Sequence, residues 1–288
     1  MNKTRFALVV IAVVFLAQLL FFYRGIYLPP PVKEPDFLSI NVISSIPVEI
    51  KENFTKGSGT VLIDLSHGNN LNAEDLNLLF SGIIERGYSI EYVKDGSNLA
   101  KNLSNSASFV IISPSTPFSS SDVKAVKDFV AGGGRMLMIS EPIKKSEINS
   151  LATEFGMLFW NDYLYNLKEN EGNFKNIYLT EFAGNNITRG LHKVVFFTSG
   201  SVFGKGIIFT DNNTYSSSKG EKGRYSVAAM NDEKNVLAIG DATFMSEPYD
   251  VMDNKRLVYN IADFLAPPSG PISPGNASGN ATSNVTRK

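Results

Sequence analysis

The sequence predicts an α/β fold, a three-layer sandwich with a partly antiparallel extension, preceded by one transmembrane helix. Three observations carry that expectation. An unbroken apolar run opens the chain, strand and helix periodicities then alternate with short connections, and a hairpin signal appears only in the second half. The chain has 288 residues. Setting aside the anchor and the two polar flanks leaves roughly 210 residues, enough for one sizeable core.

The anchor comes first. Residues 1–5 form a short basic lead, and Phe6 to Tyr23 reads FALVVIAVVFLAQLLFFY, interrupted only by Gln18. As a helix this run is ~27 Å long, close to the hydrocarbon thickness of a bilayer. Lys3 and Arg5 precede it, while Arg24 and Lys33 follow, a slight bias toward a cytoplasmic N-terminus. Phe21, Phe22, Tyr23 and Tyr27 suit the outer interface. The rival reading is a cleaved signal peptide. Leu19 to Tyr23 are all bulky where a small-x-small cleavage site would fall, so a retained signal-anchor is expected. That makes the chain a single-pass protein of the cell membrane, with its soluble domain on the extracytoplasmic side. Residues 24–57 read as a stalk that begins with the stiff Pro29-Pro30-Pro31; Phe37 to Ile43 is either an edge strand or more stalk.

Residues 267–288 are Pro, Gly, Ser, Asn and Thr with few apolar residues, a composition that cannot bury enough surface to fold. Beyond the anchor, glycosylation sequons, Asn-x-Ser/Thr, begin at Asn53, Asn102, Asn186, Asn212, Asn276, Asn280 and Asn284. The last three recur every four residues in the tail, which favours N-glycosylation over chance. Cysteine is absent, which removes thiol nucleophiles, thiolate zinc sites and disulfides together. Dense sequons without cysteine suggest an archaeal surface glycoprotein. A formal charge of −1 and the lack of any basic block argue against a nucleic-acid partner.

Within residues 58–266 the elements follow in order. Val61 to Leu65 is a short apolar strand. Leu76, Leu79, Phe80, Ile83 and Ile84 give a helical stripe, with Asn72 as its N-cap and Gly87 as its stop. Ser89 to Val93 and Phe109 to Ile112 are the next strands, the latter apolar throughout as in a sheet covered on both faces. Ser119 and Asp122 form a capping box for a helix bearing Val123, Val126, Phe129 and Val130, which Gly132-Gly133-Gly134 ends. Met136 to Ile139 is the fourth strand. Further on, Ile177 to Phe182, Val194 to Phe197 and Ile207 to Phe209 read as strands, and Tyr225 to Met230 with Asn235 to Ile239 as a hairpin. A last helix carries Leu257, Val258, Ile261, Phe264 and Leu265.

These blocks resemble a known family. VLIDLSHGNNLNAEDLNLLFSGIIERGYSIEYV, FVIISPSTPFSSSDVKAVKDFVAGGGRMLMISEP, NNITRGLHKVVF and VLAIGDATFMSE…DNKRLVYNIADFLA are similar to successive segments of the DUF4350 family, a domain of unknown function. The resemblance implies a flavodoxin-like, class I glutamine amidotransferase-like layered fold and frequent membrane attachment. Related blocks occur in the transporter-associated gliding-motility type, which implies an envelope or transporter protein as partner. It implies no reaction.

In an open parallel sheet, ligands bind beyond the carboxyl ends of the strands. That rule selects Asp64, Ser66, His67 and Asn69 after the first strand, Ser113 and Ser115 after the third, Glu141 after the fourth and Asp241 after the last. If their strands are neighbours, Asp64, His67, Glu141 and Asp241 converge on one rim. Each has a structural alternative: Asp64 ties down a loop amide, His67 caps the first helix, Asp241 braces its own turn, and Gly68 supplies a positive backbone angle. No catalytic residue is assigned. An amidotransferase needs a nucleophilic cysteine, so that activity is excluded. No G-x-S-x-G elbow surrounds Ser113 or Ser115, and only His67 and His192 are available as bases. No metal-ligand spacing and no phosphate loop occur, so no metal and no cofactor are expected. Phe159, Trp160, Tyr163 and Tyr165 either stack on sugars or pack in the core or a hairpin. The expectation is a binding or scaffolding domain without catalysis, with a degenerate hydrolase or a metal-dependent enzyme as the alternative.

Overall fold

The computed structural model describes residues 2–23, 56–69, 73–142, 144–246 and 249–267. Residues 24–55 of the stalk with Asn53, the proposed cap Asn72, and residues 268–288 of the tail with Asn276, Asn280 and Asn284 lie outside the described residues. The chain divides into two units, Met1–Pro47 and Val48–Lys288.

In the first unit, α1 (Lys3–Tyr23) is a single helix. Its window Lys3–Phe21 has a mean hydropathy of 2.3 and none of it is buried. It is apolar on every side, and its 21 residues span ~32 Å, long and apolar enough to cross a membrane.

The second unit starts with β1 (Gly59–Asp64), α2 (Asn77–Glu85), β2 (Tyr88–Val93), α3 (Leu99–Ser104), β3 (Ser108–Ile112), α4 (Ser120–Ala131) and β4 (Arg135–Ile139). A long excursion follows: α5 (Asn149–Ala152), β5 (Leu158–Phe159), β6 (Leu164–Tyr165), β7 (Asn176–Leu179), β8 (Glu181–Phe182), β9 (Val194–Phe197), β10 (Val202–Phe203), β11 (Lys205–Phe209), β12 (Thr214–Ser216) and β13 (Lys222–Gly223). The chain then closes with β14 (Ser226–Met230), β15 (Val236–Ile239) and α6 (Asn254–Leu265).

Eight strands form the main sheet in the order β2-β1-β3-β4-β15-β14-β11-β8. The first five run parallel and the last three antiparallel to their neighbours, so the partly antiparallel extension is present. Side chains alternate between the two faces, as strand geometry requires. Val61, Ile63, Val110, Ile112, Leu137 and Ile139 join a core with residues of α2 and α6, while Leu62, Phe109, Ile111, Met136 and Met138 join a second core with α3 and α4. This alternation makes the three layers.

Local signals explain most boundaries. The Ser119 Oγ accepts from the Asp122 N–H and the Asp122 carboxylate accepts from the Ser119 N–H, each at 3.2 Å, so the capping box exists as read. Gly87 lies at φ +85° just past α2. Arg86, 2% exposed, ties α2 to α6 by donating to Asp263 at 2.6 Å and to the Tyr259 carbonyl at 3.2 Å. Two readings need correction. Ile177 to Phe182 is not one strand: β7 pairs with β9 in a separate sheet and β8 with β11 in the main one, with the chain changing partners at Thr180. The helix α3 was missed because only Leu99 and Leu103 mark its buried side. The far edge, β8, is two residues long and carries an ion pair between Glu181 and Arg224 at 2.5 Å.

Candidate functional site

The parallel strands place their carboxyl-end loops along one border of the sheet, but the eight selected residues do not gather at one point. Between β1 and β15 lie β3 and β4. Three strand intervals separate their ends by ~14 Å. Two clusters result.

The first surrounds His67, which is 6% exposed. Asp64 ends β1 with no exposure and holds the loop that follows: Ser66 donates to its Oδ1 from both the amide (3.1 Å) and the hydroxyl (2.7 Å). The His67 Nδ1 lies 2.9 Å from Asp64 Oδ2, its Nε2 lies 3.7 Å from Asp122 Oδ2, and its ring stacks on Phe118 with centroids 3.7 Å apart. Burial alone would lower the imidazole pKa. The hydrogen bond to Asp64 and the charges of Asp64 and Asp122 outweigh it, so the ring is held above its ordinary value. His67 therefore joins the β1 loop to the start of α4, and does not cap the first helix as the sequence suggested. Ser115 and Thr116 donate their amides to the His67 carbonyl, and Asn69 donates to the Ile112 carbonyl at 3.1 Å. Gly68 sits at φ +62° with Ser115 Oγ where a Cβ would go, so it meets both backbone and space requirements.

Ser66, His67 and Asp64 are mutually bonded, yet they cannot act as a hydrolytic triad. In a triad the serine and the carboxylate occupy opposite ring nitrogens, so that the base relays between them. Here Ser66 Oγ, at 3.2 Å, and Asp64 both address Nδ1, while Nε2 faces a second carboxylate.

The second cluster contains Ser113, Glu141 and Asp241. Ser113 is buried at φ +41°, held by its amide on the Ile139 carbonyl, and its Oγ accepts the Glu141 N–H at 3.0 Å. Glu141 accepts the Ala242 N–H at 2.6 Å. Asp241 is fully buried and accepts the Phe197 N–H at 2.5 Å and the Thr243 N–H at 2.8 Å. Burial pushes both carboxyls up, and the charge of Glu141 pushes Asp241 further, against the pull of the amides it caps. The pair thus retains a proton to higher pH than isolated carboxylates do.

Asp241 serves a strand that sequence reading never linked to it. The outer edge of β9 is closed by side chains. Asp253 accepts the amides of His192 and Lys193, Asn254 accepts the Val195 N–H and donates to the Val195 carbonyl, and Asp241 takes the Phe197 N–H. Val195 faces Tyr178 of β7 on its other side. The side chains therefore substitute for a missing strand. Only contact between sequence-distant segments reveals this, since Asn254 lies 59 residues from Val195.

A cleft of about 220 Å³ opens beside Glu141, lined among others by Ser140, Lys144, Asn149, Trp160 and Asn161. Ordinary small-molecule pockets hold ~300–1,000 Å³. Asn149 is committed to the backbone of Phe159 through both its amide and its carbonyl. Of the aromatic run, Tyr165 stacks on Tyr215 at 5.1 Å and Lys175 lies over Tyr163 at 4.6 Å, while Trp160 is exposed beside the cleft. Among the described residues, no cluster of three or more His, Asp or Glu is arranged to hold a metal ion.

No family model matches the chain, and no curated protein matches it. Solved structures do. The mmIFT52 N-terminal domain aligns over 74% of this chain and 99% of its own length, with a TM-score of 0.58 and 14% identity. The exo-beta-1,4-mannosidase Op5Man5 from Opitutaceae bacterium strain TAV5 aligns over 72% of this chain and 36% of its own, with a TM-score of 0.40 and 13% identity. The Trypanosoma brucei CTPS glutaminase domain with bound acivicin aligns over 72% and 92%, with a TM-score of 0.38 and 11% identity. At these identities the likeness is one of fold, and the first of the three carries it: a mixed α/β domain built on a large sheet.

Proposed function

We propose that this chain is a membrane-anchored binding or scaffolding domain without catalytic activity, displayed on the extracytoplasmic side as an accessory component of an envelope or transport complex. Its finer fold class is the flavodoxin-like, class I glutamine amidotransferase-like sandwich that the DUF4350 resemblance implies. The observation that carries the reading is the use made of the rim. Asp64, Asp241 and Glu141 each accept backbone amides of the fold itself, and His67 bridges two acidic side chains. Groups committed in this way are poorly placed to move protons at a substrate. The helix α1 supports the membrane half of the proposal by length and composition. A degenerate hydrolase or a metal enzyme at the same rim draws no support from the arrangement around His67.

The test uses the full chain in its own membrane. Intact cells are treated with an impermeant amine reagent, which should label exposed lysines such as Lys124 and Lys145, 76% and 80% exposed at the side chain. Labelling that needs cell lysis would overturn the extracytoplasmic placement. Extraction in mild detergent should yield a complex heavier than one chain in its micelle. A lone monomer would remove the accessory role.

A further inference from the structure

Beyond the anchor, three sequons fall on described residues, and the structure separates them. Asn186 and Asn212 are exposed on turns, with side chains at the surface. Asn102 is half-exposed inside α3. The hydroxyl residues of the two turn sequons are in the opposite situation from their asparagines. Thr188 is 6% exposed; its Oγ1 donates to the Ala183 carbonyl at 2.6 Å and accepts the Asn185 amide at 3.2 Å. Thr214 is 1% exposed; its Oγ1 donates to Asp211 Oδ1 at 2.9 Å and accepts from Asn166 Nδ2 at 3.2 Å. Asn166 is itself 1% exposed. Each sequon thus offers its acceptor amide to solvent and hides the hydroxyl that makes it a sequon.

We propose that Asn186 and Asn212 carry N-linked glycans, attached before the turns around Thr188 and Thr214 close. The inference rests on the extracytoplasmic reading. The transferase that recognises Asn-x-Thr must reach both the amide and the hydroxyl two residues on. In the closed turns it reaches only the first. The donor is a sugar carried on a membrane polyprenyl phosphate or pyrophosphate. The Asn Nδ2 forms a bond to the anomeric carbon, the bond from that carbon to the phosphate oxygen breaks, the lipid phosphate leaves with the electron pair, and one amide proton passes to a base of the transferase. Once folding proceeds, the attached sugar points into solvent, and the buried threonines keep their hydrogen bonds.

Peptide mass mapping of the full-length protein from its native membrane should show a glycan on the peptides holding Asn186 and Asn212. N186Q and N212Q should each remove one. Full-length chain made in cells without N-glycosylation is then offered to transferase-bearing membranes with lipid-linked sugar, either folded in detergent or diluted from urea. The unfolded sample should be modified at both positions and the folded one should not. Equal transfer to the folded chain would overturn the timing. Bare asparagines at both positions in protein that the impermeant reagent labels on intact cells would overturn the sites while leaving the placement standing. Bare asparagines in protein labelled only after lysis would overturn both.

Discussion

Asn254 should be among the costliest polar residues in the protein to remove, because it stands in for a strand. It is fully buried; its Oδ1 accepts the Val195 N–H at 2.9 Å, and its Nδ2 donates to the carbonyls of Val195 and Tyr249, each at 2.8 Å. Asn254→Ala orphans one buried amide, at about 1–3 kcal/mol, and leaves two carbonyls short of a partner at about 1 kcal/mol each. The sum is on the order of 4 kcal/mol. For a domain of this size that lowers Tm by roughly 8–16 °C. Asp253→Ala at the same edge releases the amides of His192 and Lys193, which are nearer water, and should cost about 1 kcal/mol. Asn254→Asp keeps the acceptor but turns an anionic oxygen toward two carbonyls, so it should not rescue. The assay is urea unfolding of the full chain in detergent, followed by intrinsic fluorescence. Equal losses in Asn254→Ala and Asp253→Ala, or a loss below about 1 kcal/mol for the former, would refute the strand-substitute argument.

Three further outcomes are expected. His67 has a raised pKa in the folded state, so its contribution is full below 6.5 and is lost as pH rises through the folded value; His67→Gln should flatten the decline of Tm above that pH, and an unchanged slope would remove the ring from the account. Both carboxyls of the Glu141–Asp241 pair are raised, so stability falls as pH climbs from the ordinary carboxylate range through their folded values. Asp241→Asn keeps one carbonyl oxygen and so leaves one of the Phe197 and Thr243 amides without an acceptor, about 1–3 kcal/mol at acid pH, and gains relief from Glu141 at neutral pH; the deficit in urea unfolding should shrink between pH 4 and 7, and a constant deficit would contradict the coupling. Gly240→Ala drives a methyl into the Gly200 carbonyl, a backbone atom that cannot rotate away, and should cost about 3 kcal/mol by thermal unfolding; a near-neutral result would mean the two turns are not rigid against each other.

The parallel strands β1, β3 and β4 were legible because their centres are apolar and the helices after β1 and β3 carry local marks, Gly87 and the Ser119–Asp122 box, whereas the connection through α3 carries none. The hairpin of β14 and β15 was legible for the same reason: Asn231 to Lys234 separates two apolar runs. The excursion between β4 and β14 was not. Its strands β5, β6, β8, β10 and β13 have two residues each, too few to show a period of two. The rim residues were found by rule and placed correctly at strand ends, but their convergence failed. Loop positions reveal which strand a residue follows, and the separation of Asp64 from Asp241 depends on strand order, fixed by pairings distant in sequence. His67 was noticed, while Phe118, on which its ring stacks, gave no sign, and Asp122 was legible only as half of a capping box and not as the partner of Nε2.

Among the described residues the main sheet finishes on one side in β2, with Ser89, Glu91 and Tyr92 exposed, and on the other in the two-residue β8 beside its Glu181–Arg224 pair. A protein tethered in a bilayer meets its own copies in two dimensions, where local concentration far exceeds that of a free solute. Under such crowding, a long apolar border would recruit the next molecule and propagate into fibres. Two short or charge-bearing borders deny that template, so that, on the membrane placement proposed above, copies would stand side by side on one surface without joining their sheets.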